Sequence, residues 1–164
     1  MTGKGALCPP GGERPLTGGE KALVAEVFGR AVDTGPVRIR RRRWFPFQPR
    51  GTVMAPTGHI HFTPDCERYC DDFSCANLQA QGLFIHEMVH VWQTQTRGRW
   101  WLPLMRHPFC RYSYTYQPER PFERYGIEQQ AEIVRHWFMA KNGSPLAHAP
   151  PVALLDDLLP FTNA

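Results

Sequence analysis

Apolar residues recur at helical spacing along three long stretches of the chain. The first, residues 16–32, opens at Thr17 and Glu20, which match the S/T-x-x-E capping box of a helix N-terminus. The other two predicted helices run from about 79 to 96 and from about 125 to 141. A short helix over 152–159 is predicted to close the chain.

Strand patterns lie between the first two helices. The alternating segment that begins VRIR at residue 37 predicts a strand, which the prolines from Pro46 onwards end. The segments TVMA (52–55) and HIHF (59–62) flank a Pro-Thr-Gly turn and predict a hairpin. Residues 98–124 are expected to be irregular.

Composition predicts one packed domain. The 164 residues are 42% hydrophobic and 12% aromatic, which excludes a disordered chain. Residues 17–164 are expected to form the domain, and the Gly- and Pro-rich residues 1–16 a flexible lead-in. Much of the net charge of +4 lies in the run 38–43. We interpret this run as a solvated edge or as a docking patch for an acidic partner, and the third interpretation is a nucleic-acid-binding site.

The sequence shows neither a secretory signal peptide nor an apolar run of the roughly 18 residues that a membrane span needs. We therefore expect a cytoplasmic product, although export by an apparatus that ignores signal peptides would leave no trace. The five cysteines favour reduced thiols, and the spacing C-x3-C-x4-C of Cys66, Cys70 and Cys75 differs from the paired CxxC knuckles of structural zinc sites. One disulfide or a metal at this cluster is the alternative.

The helix over 79–96 contains the segment His86-Glu87-Met88-Val89-His90, an H-E-x-x-H motif. At about 100° per residue, most of its surface is apolar, and His86, Glu87 and His90 share one polar stripe. The two histidines, one turn apart, can direct two imidazole nitrogens at one point. Two imidazoles suit one Zn²⁺ ion, and Glu87 beside them suits the general base that activates water. The alternative is a buried helix that contains two histidines by chance.

A catalytic zinc site needs a third protein ligand. The extended metzincin pattern is excluded, because positions 93 and 96 are Gln and Thr. The helix over 125–141 presents Glu128 and Glu132 on one side, so we predict Glu128 as the ligand and Glu132 as the carboxylate that orients a ligating histidine. Glu132 is the next candidate for the ligand, and a solvated charged face is the alternative for both.

Two further groups are candidates. Tyr125 opens the ligand helix and is the candidate to stabilise a tetrahedral oxyanion, with aromatic packing as its alternative. His59 and His61 alternate along one strand, where they could line the cleft or bind a second metal, or form an ordinary polar face.

The chain resembles a known family over residues 14–161. The motif HEMVH followed by the E-x-x-A-E helix resembles the Glu-type zincins, in particular the zincin-like core domain of contractile injection system proteins. The stretches RWFPFQPRGTVMAP, YCDDF, RHPFCRY and FERYGIEQQAEIVRHWF resemble a small bacterial family labelled Vgr-related protein. The resemblance implies an α+β zincin fold with an edge strand beside the active helix, and the same ligands and base.

Three functions follow as expectations. The first is a zinc metallopeptidase that acts on a peptide or protein substrate. The second is a non-catalytic zincin-like accessory or adaptor protein on a type VI secretion or phage-tail-like spike. The third is a basic nucleic-acid-binding module, which the modest charge makes the least favoured.

Overall fold

Residues 8–161, which the computed structural model describes, form a small mixed sheet and five α-helices. The predicted α+β class is therefore confirmed. In chain order the elements are β1 (Glu13–Pro15), α1 (Gly18–Phe28), β2 (Arg38–Arg40), β3 (Val53–Met54), β4 (Ile60–Phe62), α2 (Leu78–Arg97), α3 (Trp101–Met105), α4 (Ile127–Lys141) and α5 (Val152–Leu158).

The sheet has the strand order β1-β2-β4-β3, so β3 is an edge strand. Strands β3 and β4 pair antiparallel, with Val53 opposite Phe62, which confirms the predicted hairpin. Strand β2 pairs parallel with β4, and Ile39 and Ile60 meet there with no exposed surface. The apolar residues of the alternating pattern thus hold the centre of the sheet.

The flexible lead-in predicted for residues 1–16 is wrong for its last part. Residues 13–15 form β1, which pairs antiparallel with β2, and Leu16 is buried. Pairing with a strand some 25 positions away is a tertiary effect that Gly- and Pro-rich composition does not show. Residues 1–7 of the lead-in lie outside the described residues.

Helix α1 begins as predicted and ends earlier than predicted. The Thr17 hydroxyl accepts from the Glu20 amide while the Glu20 carboxylate accepts from the Thr17 amide, so the predicted capping box is confirmed. The helix ends at Phe28 because Gly29 adopts a φ of +54°, a conformation that suits glycine.

Helices α2 and α4 pack along each other and contain the three residues predicted as metal ligands. Gly82 permits this approach, because a Cβ at that position would lie 2.9 Å from the Met139 sulfur. Both helices agree with their predicted spans to within two residues. The segment 98–124 differs from the prediction, since it contains α3 and a short 3-10 helix, Phe122–Arg124.

The rings of Phe62, Phe73 and Phe84 stack in series and join the sheet to α2. Among the described helices, none combines the length and the apolar character needed to cross a lipid bilayer.

Candidate metal centre

Helix α2 buries its polar stripe. Asn77 caps the helix by accepting from the Ala80 amide, and the apolar residues on the rest of its surface enter the core. His86, Glu87 and His90 are nevertheless buried too, with 6%, 4% and 3% of their surface exposed. The polar stripe therefore faces another part of the protein rather than solvent.

That part is the first turn of α4, which presents Glu128. One carboxylate oxygen, Oε2, lies 3.2 Å from His86 Nε2 and 3.1 Å from His90 Nε2. Glu128 is almost fully buried. A ligand atom from each of the three residues lies within 4.8 Å of the others, an arrangement that could hold a metal ion. The three residues predicted as ligands are thus brought to one point.

The other ring nitrogen of each histidine is hydrogen-bonded. His86 Nδ1 lies 2.8 Å from Glu132 Oε1, and His90 Nδ1 lies 2.8 Å from Gln93 Oε1. Both oxygens are acceptors, so each Nδ1 donates, which leaves the Nε2 lone pairs for a metal. Glu132 is thus the carboxylate in contact with the outer ring nitrogen of His86.

Gln93 is a contributor that the sequence analysis missed. Its side-chain amide group donates to the carbonyl of Ile127 and to the side chain of Gln130, which fixes the oxygen that accepts from His90. The signal was available, because Gln93 follows His90 by three positions and lies on the same polar stripe. In the sequence analysis above, the identity of residue 93 serves only to exclude the metzincin pattern.

Glu87 has an incomplete hydrogen-bond set. Its Oε2 is buried and has no hydrogen-bond partner among the described residues. Together with His86, it lines a polar cavity of about 350 Å³. A buried carboxylate oxygen without a donor is costly, so this position suits a group that accepts a proton from a molecule in that cavity.

The electrostatics of the cluster favour holding a cation. Burial alone would lower the pKa of His86, but hydrogen bonds with Glu128 and Glu132 outweigh it and raise that pKa to about 9. For Glu128, burial raises the pKa, and the two histidines and Arg106 outweigh it, so the pKa lies well below its usual range. A metal ion must therefore compete with a proton here, and its binding should weaken as pH falls.

Two residues that follow α3, Arg106 and Tyr112, lie where the site opens into the polar cavity. Arg106 Nη2 lies 3.1 Å from Glu128 Oε1, close enough for an ion pair but without the alignment of a hydrogen bond. The Tyr112 ring stacks near the His86 ring, with centroids 6.1 Å apart. Both line the polar cavity beside Glu87. Sequence reasoning singles out neither residue, because nothing local places either one.

The structure does not bring Tyr125 to this group. Its side chain is buried, its hydroxyl accepts from the Gln117 amide, and the Arg120 guanidinium lies over its ring. It lines neither cavity that the metal-ligand candidates line. Aromatic packing, the alternative weighed above, describes these contacts.

The remaining candidates lie outside the group formed by His86, His90 and Glu128. His61 is buried, and its Nδ1 lies 3.2 Å from the Arg42 carbonyl oxygen. Arg40 and Arg42 both pair with Glu13. Cys66, Cys70 and Cys75 are free thiols. His59 and His61 line neither cavity at the metal-ligand candidates.

Comparison with known proteins shows that the chain is similar to one domain of a secretion spike protein. No protein-family model matches it. It is 42% identical over 136 residues to the type VI secretion system spike protein VgrG2b of Pseudomonas aeruginosa, which covers 79% of this chain and 13% of that protein. The solved effector domain of VgrG2b matches with a TM-score of 0.71 and 34% identity, over 96% of this chain and 86% of that domain. The chain belongs to the family of the VgrG2b effector domain.

This membership supports the Vgr-related resemblance and the link to a type VI secretion spike. Because the chain spans only 13% of the spike protein's length, the relationship concerns the effector domain rather than the whole spike.

Proposed function

We propose that this chain is a zinc-dependent hydrolase of peptide or amide bonds. One observation carries the proposal: three buried donor atoms from His86, His90 and Glu128 converge on one point, and the Glu87 carboxylate stands next to it. The donor set of two imidazoles and one carboxylate is one that catalytic zinc sites use.

The surrounding residues fit a metal ion. Each histidine has its Nδ1 anchored and its Nε2 directed at the shared point, as metal-ligating histidines require. Glu128 Oε1 and Glu87 Oε2 are buried oxygens without a hydrogen-bond donor among residues 8–161. Burying these two oxygens without a donor costs free energy in a fold that binds nothing there, and a bound cation would offset that cost.

The chain's own residues would divide the chemistry. A Zn²⁺ ion held by His86, His90 and Glu128 would supply acidification of a water and polarisation of the substrate carbonyl. Glu87 would accept a proton from the attacking water in the polar cavity and pass it to the leaving amine. Arg106 and Tyr112, which line the same cavity, are placed to stabilise negative charge on the attacked carbonyl oxygen. In this proposal Tyr112 replaces Tyr125 as the candidate tyrosine.

Metal analysis of the purified protein tests the site. We expect one zinc per chain in the wild type and its loss in His86→Ala and Glu128→Ala. His148→Ala and Glu26→Ala, which change exposed residues of the same types, should keep the metal. A wild type without stoichiometric zinc rules out the proposal, and retention in Glu128→Ala alone would transfer the ligand role to Glu132.

Activity is tested with Glu87→Gln. This variant should keep its zinc and lose hydrolysis of a peptide library by about 10²- to 10⁴-fold, the usual contribution of a general base. Glu26→Gln serves as the control and should hydrolyse as the wild type does. A Glu87→Gln protein as active as the wild type would remove Glu87 from the mechanism.

A second candidate function is favoured by a different observation, the relationship to a spike protein. In this alternative the chain is a non-catalytic accessory or adaptor domain that accompanies a type VI secretion spike through export. It predicts that zinc-loaded wild type cleaves nothing in the library, and that wild type and Glu87→Gln bind a purified spike protein equally well.

A further inference from the structure

Two cavities of different chemistry meet at the metal-ligand candidates. The polar cavity is reached by His86 and Glu87. On the other side, His90 lines an apolar cavity of about 470 Å³, and Arg106 lines both. The apolar walls come from the following residues: Trp44, Phe45, Pro49, Met54, Leu102 and Pro103.

The edge strand β3 runs between the two cavities. Val53 lines the polar one, and its neighbour Met54 lines the apolar one. Because successive residues of a strand point to opposite sides, this strand marks a line along which side chains alternate between the two environments. An extended polypeptide lying across the metal would likewise offer side chains to each.

The apolar character continues from the cavity onto the surface. The large hydrophobic side chains that stand exposed among the described residues all belong to two segments, 44–47 and 100–112. Phe47, Leu104 and Phe109 are more than 80% exposed. These same two segments supply walls of the apolar cavity. Exposed apolar surface concentrated around one concave site is typical of a site that binds an apolar group.

We infer that this cavity receives a bulky apolar side chain, aromatic or long aliphatic, of the polypeptide substrate, next to the bond that is cleaved. The inference rests on the proposed hydrolase function and adds the class of substrate. Aromatic rings at positions 44 and 45 and the thioether at position 54 suit such a side chain. His90 and Arg106, at one boundary of the cavity, place its occupant within reach of the metal-ligand candidates.

A peptide occupant fits better than a lipid surface. The cavity is concave and reaches His90, a buried ligand candidate, whereas contact with a membrane needs only side chains that protrude. Arg106 also links the cavity to the polar one through its ion pair with Glu128, so the two cavities adjoin one site.

The test is a cleavage-site analysis of a peptide library with zinc-loaded protein. We expect Phe, Tyr, Trp, Leu or Met at one fixed position next to the cleaved bond. Phe45→Ala should lower kcat/KM for such peptides by about tenfold or more, with little change for peptides that carry Ala there. Tyr116→Ala, which removes a half-buried aromatic residue outside both cavities, should leave the preference unchanged. Met54→Lys should shift the preference toward acidic side chains, which gives a positive signal in a folded enzyme.

A binding arm separates failure of this inference from failure of the proposed function. The fluorescence of Trp44 in zinc-loaded Glu87→Gln should respond to peptides with the apolar residue and not to their Ala counterparts, relative to Trp44→Phe as the blank. Binding without cleavage by the wild type would keep the cavity assignment and overturn the hydrolase. Cleavage without an apolar preference overturns the cavity assignment alone.

Two more outcomes count against the inference. Absence of both cleavage and peptide binding overturns it together with the proposed function. Sedimentation of the protein with anionic phospholipid vesicles, lost in Phe47→Ala and Leu104→Ala, with no apolar preference in the library, would assign the apolar surface to a membrane instead.

Discussion

Two buried polar clusters in this molecule are built differently. The first joins β1 to α1, where Arg14 and Glu20 form an ion pair at 2.8 Å with 4% and 0% of their side chains exposed. The second joins α2 to α4 and contains His86, His90 and Glu128. We call them the closed cluster and the metal cluster.

The closed cluster satisfies itself. Each Glu20 oxygen accepts from an Arg14 nitrogen and from a backbone amide, that of Thr17 or that of Phe73. The remaining Arg14 donors reach the carbonyls of Pro15 and Cys70 and the Tyr69 hydroxyl. Nothing from outside the chain is needed, so this cluster serves the fold.

The metal cluster does not satisfy itself. Two histidine nitrogens converge on the same Glu128 oxygen, while the other Glu128 oxygen and one oxygen of the adjacent Glu87 have no hydrogen-bond donor within the described part of the chain. Glu128 Oε1 has only its ion pair with Arg106, and the buried Glu87 oxygen without a hydrogen-bond donor costs free energy that a bound ligand can offset. Incomplete hydrogen bonding, more than burial or charge, therefore distinguishes the metal cluster from the structural ion pair of the closed cluster.

Glu20→Leu should have the largest effect on stability and none on metal binding. It leaves the buried Arg14 guanidinium without its carboxylate, which should lower the free energy of unfolding by about 3–5 kcal/mol. Denaturant unfolding and metal analysis of the same sample measure both properties. A variant that stays folded but loses zinc would show that the two clusters are coupled.

His61 tests the cost of a half-satisfied buried group. Its Nδ1 faces the Arg42 carbonyl and its Nε2 has no partner among the described residues, and burial lowers its pKa from 6.5 to about 4. The folded protein therefore binds fewer protons than the unfolded chain between these values, so stability falls as the pH drops from 6.5 toward 4. The contribution of this one group is about 3 kcal/mol.

His61→Gln removes that titration and keeps a donor for the Arg42 carbonyl. In zinc-free protein, the stability of the wild type should fall more steeply below pH 6.5 than that of the variant. His86, whose pKa is raised in the folded protein, is present in both wild type and His61→Gln, so its own titration cancels in the comparison of their slopes. Exposed His148→Gln is the control. Equal slopes for wild type and His61→Gln would refute the assignment.

Zinc removal should destabilise only proteins with an intact metal cluster. At free zinc 100 times the dissociation constant, a ligand that binds only the folded state adds about 2.7 kcal/mol to the free energy of unfolding. Chelation should remove this increment from the wild type and from Glu20→Leu, although the latter starts from lower stability. Glu128→Ala should show no response to zinc. A zinc response that survives in Glu128→Ala would place the ion elsewhere.

The local parts of both clusters could be predicted from the sequence. The capping box fixed Thr17 and Glu20, and helical spacing put His86 and His90 one turn apart, because these relations act within one helix. Helical spacing likewise put Glu128 and Glu132 on one face of α4, and the need of a catalytic zinc site for a third ligand predicted that this face meets α2.

Contacts that depend only on the tertiary fold could not be predicted from these local patterns. Arg14 was assigned to a flexible segment because its pairing with β2 and its ion pair with Glu20 depend on the fold. Arg106 and Tyr112 lie in a segment without periodicity, and only the path of the chain after α3 brings them to the site. In α3, Pro103 suggested irregular backbone, yet it falls in the first turn of a helix, where proline costs little.

Gln93 lies where the two kinds of cluster meet. Toward α4 it behaves like the closed cluster, because its amide group donates to the Ile127 carbonyl and to Gln130; toward His90 it presents the oxygen that orients a candidate ligand. Gln93→Leu introduces an apolar side chain of roughly similar size but removes both the oxygen that faces His90 and the amide nitrogen that donates toward α4, so the His90 ring loses its fixed orientation. Zinc affinity should fall about 10- to 100-fold, or about 1.4–2.7 kcal/mol, in a competition titration with a chelator.

Gln95→Leu, an exposed change on the same helix, should bind zinc as the wild type does. Unchanged affinity in Gln93→Leu would mean that the ring is held by the convergence on Glu128 alone, and that the outer hydrogen bonds serve the fold rather than the metal.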